Sequence, residues 1–244
     1  MSMWGSPMSG RSQPLDYASG SGVRDKAAIH FFNAVYAWMA VGLAVTASVG
    51  WLVASNTSSL KHLFSGGALI GIFLVQIILV VAISGAINRI NAAVATALFV
   101  LYAAINGLLF ASIFLVYSLP SIAGTFIACA AMFGAMSLYG MFTKTNLTSM
   151  GKILFMALIG LIAASFVNMF VANSALYWLI SYAGVLIFAG LTAYDTQRLQ
   201  VMAAQTQGNA ALAARLSVSG ALMLYLDFIN MFLLLLRIMG KQRN

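Results

Sequence analysis

Asp195 and Asp227 are the residues on which chemistry can be built. The chain has 244 residues but only four acidic side chains, and glutamate is absent from it. Asp16 and Asp25 lie in a polar N-terminal stretch, whereas Asp195 ends one hydrophobic segment and Asp227 sits in the middle of another. An ionisable group inside a bilayer costs about 2.5–3.5 kcal/mol on insertion scales, which makes it a functional candidate. Two carboxylates brought together in a low-dielectric bundle do not both ionise readily, and they share a proton near neutral pH. Such a pair has two states. Protonated, it bridges two helices; charged, it pushes them apart.

A cation beside the pair biases it toward the charged state. Arg198 follows Asp195 at i+3, and the two are either a local ion pair at the membrane surface or part of the same device. Asp227 lies about ten residues into its segment, about 15 Å from the start, with no cation within a turn in sequence. It must be protonated, paired across helices, or facing water. Asn230, three residues on, shares its helix face. Arg89, at the inner end of the second segment, is the best-placed cation for the pair; its competing reading is an ordinary positive-inside anchor. Gln76, Asn106, Ser137 and Asn168, with Asn230, fall inside apolar segments, where interhelical hydrogen bonding, worth about 0.6 kcal/mol on average, is the ordinary role.

These residues need a scaffold, and the composition says which kind. The chain is 62% hydrophobic and 7% charged, with mean hydropathy +0.98, against about 25% charged residues in a soluble domain. Long apolar runs indicate membrane helices, not the short alternating strands of a barrel. Seven segments are expected: about 33–55, 67–88, 94–117, 121–142, 153–171, 176–194 and 218–236. Each approaches the roughly 20 residues that cross the hydrocarbon. Residues 1–30 read as a flexible cytoplasmic tail and 31–244 as one transmembrane domain.

A net charge of +8 invites a nucleic-acid reading, but no basic cluster or stacking platform accompanies it, and no nucleic-acid partner is expected. The charge reads as orientation instead. With the N-terminus inside, Arg11, Arg24, Lys26, Arg89, Lys144, Lys152, Arg198 and Arg215 are inner, and Lys61, Arg237, Lys241 and Arg243 outer. That excess favours an inner N-terminus. The basic tail after Arg237 leaves open a re-entrant segment with both ends inside. Tyr36, Trp38 and Tyr139 are expected at inner ends, and Trp51, Tyr117, Tyr177 and Trp178 at outer ends. Gly67 and Gly71, with Gly184 and Gly190, mark close helix approaches. The single Cys129 reads as a small packing residue.

The segments Met132-Phe-Gly-Ala-Met-Ser-Leu-Tyr-Gly140, Gly190-Leu-Thr-Ala-Tyr-Asp195-Thr-Gln197 and Leu224-Tyr-Leu-Asp227-Phe-Ile-Asn230 resemble the Bax inhibitor-1, or transmembrane Bax inhibitor motif, family. The similarity is closest to bacterial inner-membrane members and covers about residues 30–240. The resemblance implies an all-α seven-transmembrane-helix bundle with the last helix central, in a bacterial inner membrane. It implies a pH-sensitive calcium leak in which aspartates matching Asp195 and Asp227 form a hydrogen-bonded sensor that an arginine on the second helix, here Arg89, can engage. Some members carry a glutamate on that helix near the path; this chain has none, so that role does not transfer.

The resemblance also offers a second class of function, since other bacterial members bind a membrane-anchored AAA protease and modulate it. In that reading the N-terminal tail is the contact. An enzyme is not expected: His30 and His62 lie outside the segments, Cys129 is alone, and a metal site needs clustered ligands. No cofactor is expected. Calcium would be a permeant ion held transiently by Asp195 and Asp227, because two carboxylates are too few for a tight oxygen-ligand site.

Overall fold

A computed structural model describes residues 16–56, 68–86, 89–206 and 208–243. The described residues form seven α-helices and no strand: α1 Asp16–Ala54, α2 Ala68–Ala86, α3 Ala92–Val116, α4 Leu119–Phe142, α5 Thr148–Val171, α6 Ser174–Gln205 and α7 Ala210–Met239. In hydrocarbon each backbone polar group must be satisfied within the protein, and long apolar runs meet that demand as helices. Six of the helices are long and apolar enough to cross a membrane, and α2 contributes a shorter apolar stretch, Gly71–Ile83.

Local chemistry sets the boundaries. Asn91, Asn173 and Asn209 cap α3, α6 and α7, each side-chain oxygen accepting the backbone N–H three residues on at 2.8–3.0 Å. Pro120 sits in the first turn of α4, where its missing N–H costs nothing. α5 ends at Ala172 in the left-handed region, φ 51°, and the Asn168 side chain accepts the next N–H at 3.0 Å.

Three elements differ from the expected spans. α1 begins at Asp16, well inside the expected tail, and runs through Gly20 and Gly22, with no proline after Pro14 to interrupt it. α6 runs eleven residues past Tyr194, and α7 begins eight before Val218. These polar extensions carry too little apolar character to register as spans, but side chains anchor them. Gln197 of α6 accepts the N–H of Leu147 and donates to Thr145 O, both at 2.8 Å, and Gln200 donates to Met141 O. Residues 1–15, Lys61 and Gly67 lie outside the described residues.

Contacts fix the direction of each helix. Gly42, Thr46 and Gly50 of α1 meet Phe99, Ala103 and Gly107 of α3 in step, so these two run parallel. Gly184 and Gly220 place α6 antiparallel to α7, and Gly151, Gly184 and Gly190 place α5 antiparallel to α6. The starts of α1, α3, α5 and α7 therefore share one end of the bundle, here the proximal end. Tyr117, Tyr177 and Trp178 lie at the distal end with the residues after α7. There an antiparallel bridge joins Tyr117 to Gln242, flanked by Ser118 N–H to Lys241 O (3.2 Å) and Arg243 N–H to Val116 O (2.8 Å).

α7 is the most heavily buried helix and packs on α1, α3, α4 and α6. Phe228 takes Phe126 and Phe133 of α4 edge-on, with ring centroids 5.3 and 5.5 Å away. The thiol of Cys129 rests 3.6 Å from Phe228 O. By contrast α5 packs on α6, and Gly151 is its one buried residue. Where backbones approach, glycine is required. A Cβ on Gly140 would lie 2.2 Å from Ala193 O, which joins α4 to α6. Gly71, read from sequence as a packing residue, meets nothing.

Candidate functional site

Asp195 and Asp227 face each other across α6 and α7. Their side chains act on each other across the α6–α7 contact, and two carboxyls that close in a low-dielectric site share a proton more readily than they both ionise. Neither sits at a helix end. With α6 extending to Gln205, Asp195 lies well inside that helix, and Asp227 falls in the middle of α7. Asp227 is 5% exposed, and its Oδ2 has no hydrogen-bond partner. Asp195 is half-buried. The electrostatic influence on it from a cation is that of Arg198, one turn along α6.

Both carboxyls line a cavity of about 730 Å³ between α5, α6 and α7. At its proximal mouth stand Lys152 and Arg198; toward the distal end stands Arg237, whose guanidinium lies 4.7 Å from the Tyr177 ring centroid. Between the carboxyls and Arg237, Gly184 leaves room for Leu161 of α5 and Leu234 of α7 to close over α6. A Cβ there would be 3.1 and 2.6 Å from their methyl groups. The cavity thus has cations at both ends, carboxyls in its proximal half and the Leu161–Leu234 pair beyond them.

Of the remaining candidates, Asn230 lines the cavity, with its amide donating to Leu226 O at 2.8 Å within its own helix. Arg89 is exposed in the turn after α2 and does not line the cavity. Arg198, offered by sequence as a surface pair or a participant, is the cation the fold brings to Asp195. Asn168 serves the α5–α6 turn instead of another helix.

The opposite side of α7 carries a second polar group. The amide of Gln76 donates to Asn106 Oδ1 (3.0 Å), and Asn106 Nδ2 donates to Tyr225 Oη (2.8 Å). Tyr225 Oη lies 2.6 Å from Thr46 Oγ1, which in turn donates to Ala103 O at 2.9 Å. This chain joins α2, α3, α7 and α1. Phe99 and Tyr102 flank the Tyr225 ring edge-on, at 5.7 and 5.9 Å between centroids. Residues 225 and 227 are about 200° apart on a helix of 3.6 residues per turn. The network therefore holds one face of α7 while Asp227 is presented on the other. Gln76 and Asn106 were legible as interhelical donors; Tyr225 and Thr46 were not, and their only signal was hydroxyls within apolar runs.

Among the described residues no three histidines, cysteines or carboxylates gather as a metal site would require. The carboxyl pair can hold and release a proton, and when charged it can attract a cation without enclosing one.

Residues 29–244 match the family described as Inhibitor of apoptosis-promoting Bax1. The chain is 48% identical to inner membrane protein YbhL of Escherichia coli K12, over 92% of this chain and 97% of that one. It is 45% identical to proteins of Borreliella burgdorferi and Deinococcus radiodurans whose names assign no function, in each case over 88% of this chain and over 93% and 91% of theirs.

Proposed function

The chain belongs to the Bax inhibitor-1 family, and from that premise we propose that it is a pH-sensitive calcium leak of a bacterial inner membrane. The observation that carries the reading is the placement of Asp195 and Asp227 against each other on the wall of a cavity that holds ionisable groups at both ends. The chain crosses the bilayer seven times in this reading, with α2 as the second crossing and α7 at the centre. The alternating helix directions and the packing of α7 on four others support it. The proximal end is cytoplasmic, since Lys26, Arg89, Lys144, Lys152, Arg198 and Arg215 gather there against Arg237, Lys241 and Arg243 at the distal end.

With a proton between them, the carboxyls bridge α6 to α7 and the route is closed. When the proton leaves, two like charges in a low-dielectric bundle repel, the α6–α7 contact loosens and water enters. Ca²⁺ then meets two carboxylate oxygen donors, enough to attract it and too few to retain it. Arg198, beside Asp195, favours the charged state. The Leu161–Leu234 pair is the second barrier, opened when the two helices part. No reaction is catalysed.

The test is Ca²⁺ flux into proteoliposomes across a pH series for the wild type, Asp195→Asn and Asp227→Asn. A pH-dependent flux that both substitutions alter is the expected result. Flux no greater than in protein-free liposomes at any pH would overturn the leak and favour instead an interaction protein that modulates a membrane-anchored AAA protease.

A further inference from the structure

The cavity of about 730 Å³ is walled chiefly by apolar side chains from α5, α6 and α7, within the range of small-ligand sites, about 300–1,000 Å³. Its α5 wall belongs to a helix that packs on α6 and turns Ile153, Met156 and Ile159 away from the cavity. In a bilayer those side chains face lipid, so the cavity is a groove beside hydrocarbon.

Two cations stand together at its mouth. The N–H of Leu147, just before α5, is bonded to the side chain of Gln197 at 2.8 Å, which sets Arg198 level with the start of α5. Gly151 abuts the ring of Tyr194, where a Cβ would come within 2.5 Å. Arg198 lies one turn beyond that ring on the same face of α6, and Lys152 adjoins Gly151. Both side chains are exposed and line the groove. Their aliphatic stems can lie along its wall while the charges reach the membrane surface. Asp195 is one turn deeper, so an anion at the mouth meets the cations first. From Lys152 to Leu161 is nine residues of helix, about 14 Å, along walls that are apolar except at the two carboxyls and Asn230.

We propose that this groove binds one anionic phospholipid, with an acyl chain lying between α5 and α7 and the phosphate held by Lys152 and Arg198. Charge complementarity selects the headgroup, since clustered Lys and Arg at a membrane surface attract anionic lipid. The groove accepts the chain because lipid is the apolar phase it opens to. An acyl chain seated beside Asp227 and water hydrating its carboxylate exclude one another. On the leak reading, which that consequence alone requires, bound lipid opposes ion passage.

Lipid retention tests the binding independently of any flux. The full chain is reconstituted in nanodiscs of equal phosphatidylglycerol and phosphatidylcholine, extracted in mild detergent, and weighed intact by mass spectrometry. The wild type is expected to retain one phosphatidylglycerol in preference to phosphatidylcholine. The double variant Lys152→Gln/Arg198→Gln should retain it about thirtyfold less, the effect of removing two lipid-facing cations. Leu158→Trp, which fills the groove and leaves both cations, should also lose it, with helicity and monodispersity unchanged. Equal retention of the two lipids, retention indifferent to both variants, or a second copy of the chain seated in place of lipid would each overturn the proposal.

Discussion

The hydroxyl of Tyr225 donates to Thr46 Oγ1 across 2.6 Å, because the Thr46 proton is already committed to Ala103 O. Asn106 Nδ2 in turn depends on Tyr225 Oη as its acceptor. Tyr225→Phe therefore removes little volume but takes away the acceptor of the buried Asn106 amide and the donor to Thr46 Oγ1, whose own bond to Ala103 O remains. We expect the variant to lose stability by about 1–3 kcal/mol, read as a lower denaturant midpoint. An unfolding midpoint equal to the wild type would show that the network contributes nothing to holding α7.

The proton balance of the carboxyl pair fixes the sign of the pH response. The bridge needs a bound proton and is lost as pH rises, so Ca²⁺ flux should increase with pH. Asp227→Asn, which cannot lose a proton, should flatten the profile. Arg198→Gln should move the profile to higher pH, since a neighbouring cation favours the charged state. A profile that moves to lower pH in Arg198→Gln would show that Arg198 acts otherwise than on this pair.

Glycine is essential at Gly140 and dispensable at Gly160. A Cβ on Gly140 would meet backbone atoms of Ala193, which cannot swing aside, whereas one on Gly160 would meet nothing. Gly140→Ala should cost about 1–3 kcal/mol, as overpacking does, and Gly160→Ala should stay within about 0.5 kcal/mol of wild type, as substitutions away from contacts do. Thermal unfolding of the pair in one detergent decides it.

The Leu161–Leu234 pair over Gly184 yields a prediction separate from the carboxyls. Leu234→Asn places an amide where two leucine side chains now lie over Gly184, and apolar constrictions close by dewetting. Flux at low pH, where the bridge is closed, should rise severalfold over wild type. An unchanged low-pH flux would locate the barrier elsewhere.

How far the sequence discloses this arrangement depends on the physical signal each residue carries. Asp195 and Asp227 stand out because charge within hydrocarbon is rare and expensive, and their segments place them on two different helices. That the carboxyls face each other is a matter of helix rotation, which neither span length nor hydropathy specifies. The ends of α6 and α7 were underestimated because Gln197 and Gln200 hold the extension by side-chain bonds to the α4–α5 connection, and hydropathy does not register such bonds. Arg89 was favoured for lying at the inner end of a segment; the turn after α2 leaves it exposed, while Arg198 lies one turn from Asp195 on the same helix and lines the same cavity. Tyr225 was missed since an aromatic hydroxyl in an apolar run has no distinguishing neighbours until Asn106 and Thr46 are brought to it. Tyr117, Tyr177 and Trp178 share the distal end, whereas Tyr36 and Trp38, expected at a helix end, lie in the middle of α1 because that helix starts at Asp16.

The burial of α7 also bears on how the chain is made. α7 leaves the ribosome after every helix it packs against, so α1, α3, α4 and α6 must wait in the bilayer around a vacancy. During that interval Thr46 and Asn106 have no tyrosine hydroxyl between them, and glycines fitted to α7 side chains face lipid. A nascent chain halted before residue 210 would display polar groups to the hydrocarbon. It would thus carry a mark by which membrane quality control can tell an unfinished bundle from a closed one.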